Sequence, residues 1–585
     1  MTQEARYDTH FSRPEDVEEF VQVLERFERG ELNAEEFRTF RLTRGVYGQR
    51  QSDVNMLRVK FPGGIMSAAQ LRVAAGVARE HTQFHKGHIT TRQNIQFHFV
   101  KLANMPDILA RFDVAGATTR EACGNTVRNI TGCPYAGVSA TEAFDVTPYM
   151  HALVRMCLRE EWANNLPRKF KMAFEGCTHE DHAQTAINDV GFRAKVRDGV
   201  RGFEMFVAGG LSTTPRPAYR LHDFIPADEL LARTEAVIRL FDRLGNRKNR
   251  ARARLKYVMK NLGEDGFVAA YNEEVARLIE AGTLSRPVEL PPEEAPPAWS
   301  DRAIQGPRVA DDDPLYKEWL RTVDLQKQAG FASVTIKLER GDITADQFDQ
   351  LAELAETFTD GTLRAGNRQN LIVRWVRTEY LPHLFARLQQ IGLAELGSNT
   401  IHDIVSCPGA DSCNLAVTAS MSLAKHLTRF LKSPGASAAS VEAARTADIK
   451  ISGCPNSCGQ HHVAAIGFHG TVRHAGEGKQ VPEYQLHLGG GFDADGVQFG
   501  RHIVKIPARR AGEALLRLLD LYRDEREDGE DARAFFRRVT KEEVVEALGD
   551  AILDSQLTNL REDDVFDLGQ ERTFDVAIGR GECAA

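Results

Sequence analysis

GHITTRQNIQFHFV, residues 87–100, and LRAGNRQNLIVRWV, residues 363–376, are two versions of one pattern, with Arg92-Gln93-Asn94 falling on Arg368-Gln369-Asn370 at an offset of 276. Other pairs keep the same order around this anchor. VKFPGGIMSAAQL from Val59 matches IKLERGDITADQF from Ile336 at 277, and Thr-Gly-Cys133-Pro matches Val-Ser-Cys407-Pro at 274. EGC ending at Cys177 matches SGC ending at Cys454 at 277, VGF ending at Phe192 matches IGF ending at Phe468 at 276, and Gly209-Gly210 matches Gly489-Gly490 at 280. So long a period excludes a solenoid, whose units run to about 20–50 residues, and predicts two related domains about a pseudo-two-fold axis with a ligand site at their junction. Each unit reads strand, helix, strand: NMLRVKFPG, SAAQLRVAAGVAREH and HITTRQNIQFHFV, then ASVTIKLERG, TADQFDQLAELAETF and TLRAGNRQNLIVRWV. The fold class expected is α+β.

The chain has 585 residues, enough for about four domains. Its 74 basic and 82 acidic side chains leave a net charge of −8, so nucleic acid is not an expected partner. No run approaches the roughly 18 apolar residues of a spanning helix, and no membrane association is expected. The start, MTQEARYDTHFSRPEDVEEF, lacks the basic and apolar segments of a secretory signal, which predicts a cytoplasmic location. Seven of the 22 prolines lie between Pro287 and Pro314 and predict an extended, poorly packed connection. PEDVEEFVQVLERFERG reads as an amphipathic helix before the first unit, and LLRLLDLYRDEREDGE with EEVVEALG as a helical tail after the second. Cys583 is assigned no role.

Of nine cysteines, four crowd into the second unit as Cys407-x5-Cys413 and Cys454-x3-Cys458. Four thiolates in two pairs can hold a [4Fe–4S] cube. Structural zinc is the alternative, but zinc ribbons space each pair two to four apart, and the wider first pair, with Pro after the leading Cys of both, fits that poorly. The first unit has Ser139 and Asp181 where the second has Cys413 and Cys458, so its Cys133 and Cys177 read as buried core thiols.

This cysteine pattern in the second of two repeated halves resembles the sirohaem and [4Fe–4S] sulfite and nitrite reductase family, over about residues 45–510, most closely its ferredoxin-dependent sulfite reductases. The resemblance implies two pseudo-two-fold related halves forming a central composite ferredoxin-like domain flanked by two larger α+β domains. The division expected is 1–49 helical segment, 50–118 first composite half, 119–286 first sirohaem domain with an anion pocket, and 287–326 linker. It continues with 327–396 as second composite half, 397–510 as second sirohaem domain with the cluster, and 511–585 as helical tail. By position Cys458 would bridge cluster and sirohaem iron.

Cations concentrate in the first unit. In HITTRQNIQFHF a strand period of two puts Thr90, Arg92, Asn94, Gln96 and His98 on one face, suited to an anionic ligand. LPRKFKMAFEG puts Lys169 and Lys171 on one side of a strand entered at Pro167, and like charges side by side are costly unless an anion answers them. The resemblance implies that Arg58, Arg128, Lys169 and Lys171 hold the substrate anion. It also implies that Arg92, Asn129 and Arg168 contact sirohaem carboxylates, with Gln96, Asn456 and, from NRKNRARARLKY, Arg250, Arg252, Arg254 and Lys256 nearby. His88 departs from an arginine of some relatives. Tyr47 and Cys123 fall where some ferredoxin-dependent relatives carry a thioether crosslink; the bland reading is a packed tyrosine and a buried thiol.

The activity expected is the six-electron reduction of sulfite to sulfide, with nitrite to ammonia as the alternative and a non-catalytic iron–sulfur carrier as a remote third. Lys171 is the discriminating residue, since nitrite reductases of this family commonly have Asn there. No G-x-G-x-x-G opens a βαβ unit, so electrons are expected from a separate ferredoxin or flavoprotein. A monomer is expected.

Overall fold

The structure is a computed structural model that describes residues 7–291, 303–476, 478–493, 496–554, 560–576, 578–579 and 582. Cys583 and the prolines at 292, 296 and 297 lie outside the described residues.

Two antiparallel five-stranded sheets form the centre. One orders its strands Val46–Gly48, Asn55–Val59, Ile95–Val100, Lys86–Ile89 and Asp342–Thr344; the other Val323–Leu325, Phe331–Ile336, Leu371–Arg377, Thr362–Ala365 and Ile65–Ser67. Each sheet therefore takes its fifth strand from the opposite half of the chain. Both exchanged strands run directly into helices, Ala68–His81 and Ala345–Phe358, whose N-caps Ser67 and Thr344 form matching capping boxes with Gln70 and Gln347. The helices pack on each other, and residues of both halves, among them Met66, Leu71, Phe97, Phe348, Leu351 and Val373, share one apolar core. These are the two halves of the composite ferredoxin-like domain.

On either side stands a mixed sheet of repeated topology. Thr131–Gly132, Met172–Glu175 and Val190–Arg197 run parallel before Val200–Val207 and Tyr219–Pro226 complete an antiparallel edge. Val405–Ser406, Ile449–Ser452, Ile466–His474, Gln480–Leu488 and Arg501–Pro507 repeat that order. Helices Leu230–Leu244 and Leu255–Glu280 cover the first sheet. The second shares its core with the helices of the tail, through Leu515, Leu518, Phe535, Phe536 and Leu548.

Three local readings change. HITTRQNIQFHFV is a hairpin, with His88 opposite Gln96 and Ile89 opposite Ile95, so Arg92 sits on the turn and not in a strand. The turn carries no glycine. Its left-handed residue is Gln93, at φ 58°, and the amide of that buried side chain offsets the strain by donating to the carbonyls of Gly132 and Ala365, both at 2.8 Å, while accepting from the Gly132 N–H at 2.9 Å. Gln369, at φ 66°, repeats the device, donating to the Ile89 carbonyl and accepting from the Ser406 N–H, both at 3.0 Å. The strand expected from Pro167 begins at Met172, preceded by a single bridge between Phe170 and Val127. The connection is folded at its end: Pro314–Leu320 is a helix capped by the Asp313 side chain, and Tyr316 and Trp319 are buried against Phe385. Proline at the first helical position is pre-set for a helix, which composition alone reads as extended chain.

Candidate active site

The first composite sheet, the hairpin turn of the second at Asn367 and Gln369, and the two flanking halves meet around a cavity of about 610 Å³. Its wall includes Arg58, Arg92, Gln96, Arg128, Arg168, Lys169, Lys171, Arg250, Lys256, Asn456, Tyr47 and all four cysteines of the second unit. Arg92 reaches it from the Thr90–Asn94 turn, donating to Asn188 Oδ1 at 3.0 Å and to the Asn129 carbonyl at 2.5 Å. Asn129 itself stays behind the wall, its amide donating to the carbonyls of Phe61 and Arg92, so it positions Arg92 and does not face the cavity. Arg58, on Asn55–Val59, donates to the Ala122 carbonyl and to Cys123 Sγ, both at 3.2 Å, and its guanidinium faces the Gln96 carbonyl oxygen. Arg128 is fixed through its N–H on the Phe170 carbonyl and its Nε on the Gly124 carbonyl. Tyr47 lines the cavity, whereas Cys123 is fully buried one residue beyond the lining Ala122. Arg252 is exposed and off the wall. His88 lines the cavity with its ring between Asp342 Oδ1 and the Gln369 amide.

So many cations in one buried wall disturb each other. Burial first, then Arg92, Lys169 and Arg254, hold the Lys171 ammonium well below the usual lysine range, with Cys458 working the other way. Burial and then Arg128 bring Arg92 down to about 9, and burial and then Arg254 bring Lys256 down to about 7. Asp189 is the buried counter-charge, pairing with Arg254 at 2.7 Å and accepting the Lys171 backbone N–H at 2.9 Å. A polyanion in the cavity would oppose the lowering at Lys171, Arg92 and Lys256.

At the cavity floor Cys407, Cys413, Cys454 and Cys458 approach on loops after Val405–Ser406 and Ile449–Ser452. Burial and then Cys458 push the Cys407 thiol up to about 12, and burial, Cys458 and Cys407 push Cys454 up as well. Such mutual opposition suits thiolates that a cationic centre neutralises. The places where three or more ligand atoms lie within 4.8 Å of one another, the reach of a single ion, fall elsewhere among the described residues, so the four sulfurs fit a larger centre better than one zinc. The Gly453 N–H donates to Cys407 Sγ at 3.3 Å and the Asn456 amide to Cys454 Sγ at 3.5 Å, and Cys458 is the exposed member, open to the cavity.

The nitrite and sulphite reductase 4Fe-4S domain matches residues 123–278 and 397–555, and the nitrite/sulfite reductase ferredoxin-like half domain matches residues 47–115 and 324–391. The chain belongs to the nitrite and sulfite reductase family. Within it, the chain is 30% identical over 498 residues to sulfite reductase (ferredoxin) 1 of Mycolicibacterium paratuberculosis, covering 84% of this chain and 83% of that protein. It is 30% identical to the chloroplastic ferredoxin–nitrite reductase of Arabidopsis thaliana, over 77% of this chain and 73% of the other. The NirA protein of Mycobacterium tuberculosis is similar in structure, with a TM-score of 0.74 at 26% identity, over 91% of this chain and 97% of that one. The cofactors of the family are sirohaem and a [4Fe–4S] cluster, and the cationic wall and the four-cysteine floor fit both. No helix among the described residues is long and apolar enough to cross a membrane.

Several wall residues escaped the sequence reading. Thr91 donates from the hairpin turn to the Cys458 carbonyl at 2.9 Å, tying the first unit to the cluster loop. Gln184 and Gln460 pair amide to amide across the pseudo-two-fold axis, each in the left-handed region, and Asn188 holds Arg92. The two glutamines stand 276 positions apart, so the repeat register contained a signal for them; lacking charge, neither invited attention.

Proposed function

We propose that the protein reduces sulfite to sulfide by six electrons, drawing them one at a time from a separate ferredoxin. The observation carrying this reading is Lys171, partly buried in the cavity wall, where the charges of Arg92, Lys169 and Arg254 act on it. Relatives named as sulfite reductase and as nitrite reductase stand at equal identity, so the substrate choice rests on the charge of the pocket. Sulfite is a dianion when fully ionised and nitrite a monoanion, and each added cation favours the former. At an effective dielectric near 20, one cation about 4 Å away contributes on the order of 4 kcal/mol of gross attraction before desolvation is subtracted.

In this reading Arg58, Arg128, Lys169 and Lys171 bind and orient the anion's oxygens, and the lysines, unlike the arginines, release protons to oxygens leaving as water. Arg92, Arg168, Arg250, Lys256, Gln96 and Asn456 neutralise or hydrogen-bond sirohaem carboxylates, with Asn129 behind Arg92. The cofactors, when bound, supply one-electron transfer and a metal that takes sulfur or nitrogen. Cys407, Cys413, Cys454 and Cys458 hold the cluster, with Cys458 facing the cavity. The relatives' names support ferredoxin as donor. Lys171→Asn tests the substrate assignment: kcat/KM for sulfite is expected to fall much more than for nitrite, because the lost cation matters more to the dianion and its transition state. Equal losses on both substrates would remove the basis for preferring sulfite.

A further inference from the structure

The first half holds a second constellation of ligand groups where the second half has its cluster. Cys133 follows Thr131–Gly132 as Cys407 follows Val405–Ser406, and Cys177 corresponds to Cys454. The sequence alone reads both as inert core thiols. The structure brings His182 and Glu175 to the same point. Cys133 Sγ lies 3.9 Å from Cys177 Sγ and 3.6 Å from His182 Nδ1, His182 Nδ1 lies 3.8 Å from Glu175 Oε2, and one ligand atom from each of the four residues falls within 4.8 Å of all the others.

We propose that Cys133, Cys177, His182 and Glu175 form a mononuclear tetrahedral site for Zn²⁺. With Zn–S near 2.3 Å and Zn–N near 2.0 Å, a tetrahedron separates two sulfurs by about 3.8 Å and a sulfur from a nitrogen by about 3.5 Å. The observed 3.9 and 3.6 Å lie within about 0.1 Å of both edges, while the 3.8 Å between His182 Nδ1 and Glu175 Oε2 has to close by about 0.5 Å when the ion binds. The sulfur separation is far from the roughly 2.05 Å of a disulfide, and the imidazole and carboxylate converge on the same point from other sides. The donor set of two soft sulfurs, one imidazole and one carboxylate suits zinc and not a hard cation. A cube is excluded, because Ser139 and Asp181 replace its other two cysteines.

The surroundings are those of a supported site. Glu175 is fully buried and both its oxygens are oriented by backbone N–H groups, Oε1 by Cys177 and Oε2 by Ala183, each at 2.9 Å. Ser139 Oγ stands 3.3 Å from Cys177 Sγ, and the Asn367 amide holds the His182 carbonyl at 3.1 Å. Three ligands are buried and His182 is partly exposed, which leaves one approach for an ion. The role is structural. The next residues, Ala183 and Gln184, line the cavity, and Gln184 pairs with Gln460, so the ion would lock the first-half loop in the way the cluster locks the second.

The holoenzyme is dialysed against micromolar Zn²⁺, freed of loose metal by gel filtration, and analysed for zinc, iron and sulfide. About one zinc per chain is expected, with X-ray absorption at the zinc edge showing two sulfur neighbours near 2.3 Å and two lighter ones near 2.0 Å. Cys177→Ser and His182→Ala should each bring retained zinc below about a tenth of the wild-type value while iron and sulfide stay unchanged. The proposal is overturned by wild-type protein that retains no zinc, by a zinc shell without sulfur, by variants that keep their zinc, or by a Cys133–Cys177 disulfide in peptide mass spectra. The absorption measurement uses wild-type protein, so the proposal remains testable if a variant does not fold.

Discussion

At the scale of single residues, the proposed chemistry has Cys458 at one end and Lys171 at the other. All four cysteines of the quartet line the cavity, and Cys458 is the exposed one. If Cys458 is shared by cluster and sirohaem, as the resemblance implies, Cys458→Ser is expected to yield protein lacking the absorption of both, since such a ligand cannot be lost locally; intact spectra would reject the shared role. Lys171 carries a pH signature. Its proton is held weakly in the anion-free pocket, and a bound dianion strengthens that hold. Between the depressed and restored values, binding takes up a proton, so sulfite affinity should weaken as pH rises through that window. Calorimetry in buffers of different ionisation enthalpy should find an uptake that falls by up to about one proton in Lys171→Asn; an unchanged uptake would assign the proton elsewhere. The spacing of the four cysteines and the like-charged pair Lys169 and Lys171 were legible in the sequence itself, whereas Arg58, Arg128 and Arg168 were placed by the family resemblance. Gln184, Gln460 and Asn188 were not legible, since an amide is equally at home in a turn, a core or a site.

At the scale of elements, the repeat gave the order of strands and helices, while left-handed turn positions filled by glutamine stayed hidden. Gln93 and Gln369 occupy left-handed positions that usually call for Gly or Asn, and only the tertiary partners of their side chains make those positions tolerable. A second element-level feature is the histidine layer on Ile466–His474 and Gln480–Leu488. His469 Nδ1 lies 2.7 Å from His487 Nε2, with His461 and His462 packed alongside. Burial and then its histidine neighbours push His469 down to about 4 and His487 down to about 2, and burial pushes His462 down to about 4. The unfolded chain takes up protons near pH 6.5 that the folded state refuses, so stability is lost as pH falls below that point. Each such group contributes up to about 1.4 kcal/mol per pH unit. Melting temperatures from pH 7 to 5 should fall steeply in the wild type and less so in His487→Gln. A parallel fall in the two proteins would place the sensitivity outside this layer.

At the scale of the molecule, the pseudo-two-fold organisation could be read from six pairs of matching segments, but the exchange of fifth strands could not. Ile65–Ser67 and Asp342–Thr344 are three-residue strands whose partners are fixed by the approach of two domains and not by any local pattern. The exchange makes the halves interdependent. Residues 1–286 made alone are expected to lack a sharp thermal transition, and to recover one when co-expressed with residues 303–585. A cooperative melt of the first fragment by itself would show that its sheet closes without the borrowed strand.

The same exchange bears on how the chain is made. Lys86–Ile89 leaves a ribosome roughly 250 residues ahead of Asp342–Thr344, the strand that covers its edge. At about 5–20 residues per second, that edge waits on the order of ten to fifty seconds with its backbone groups unpaired. The nascent first half is therefore an open template for wrong pairing throughout that interval, and chaperone occupancy should concentrate there, ending once the second half has emerged.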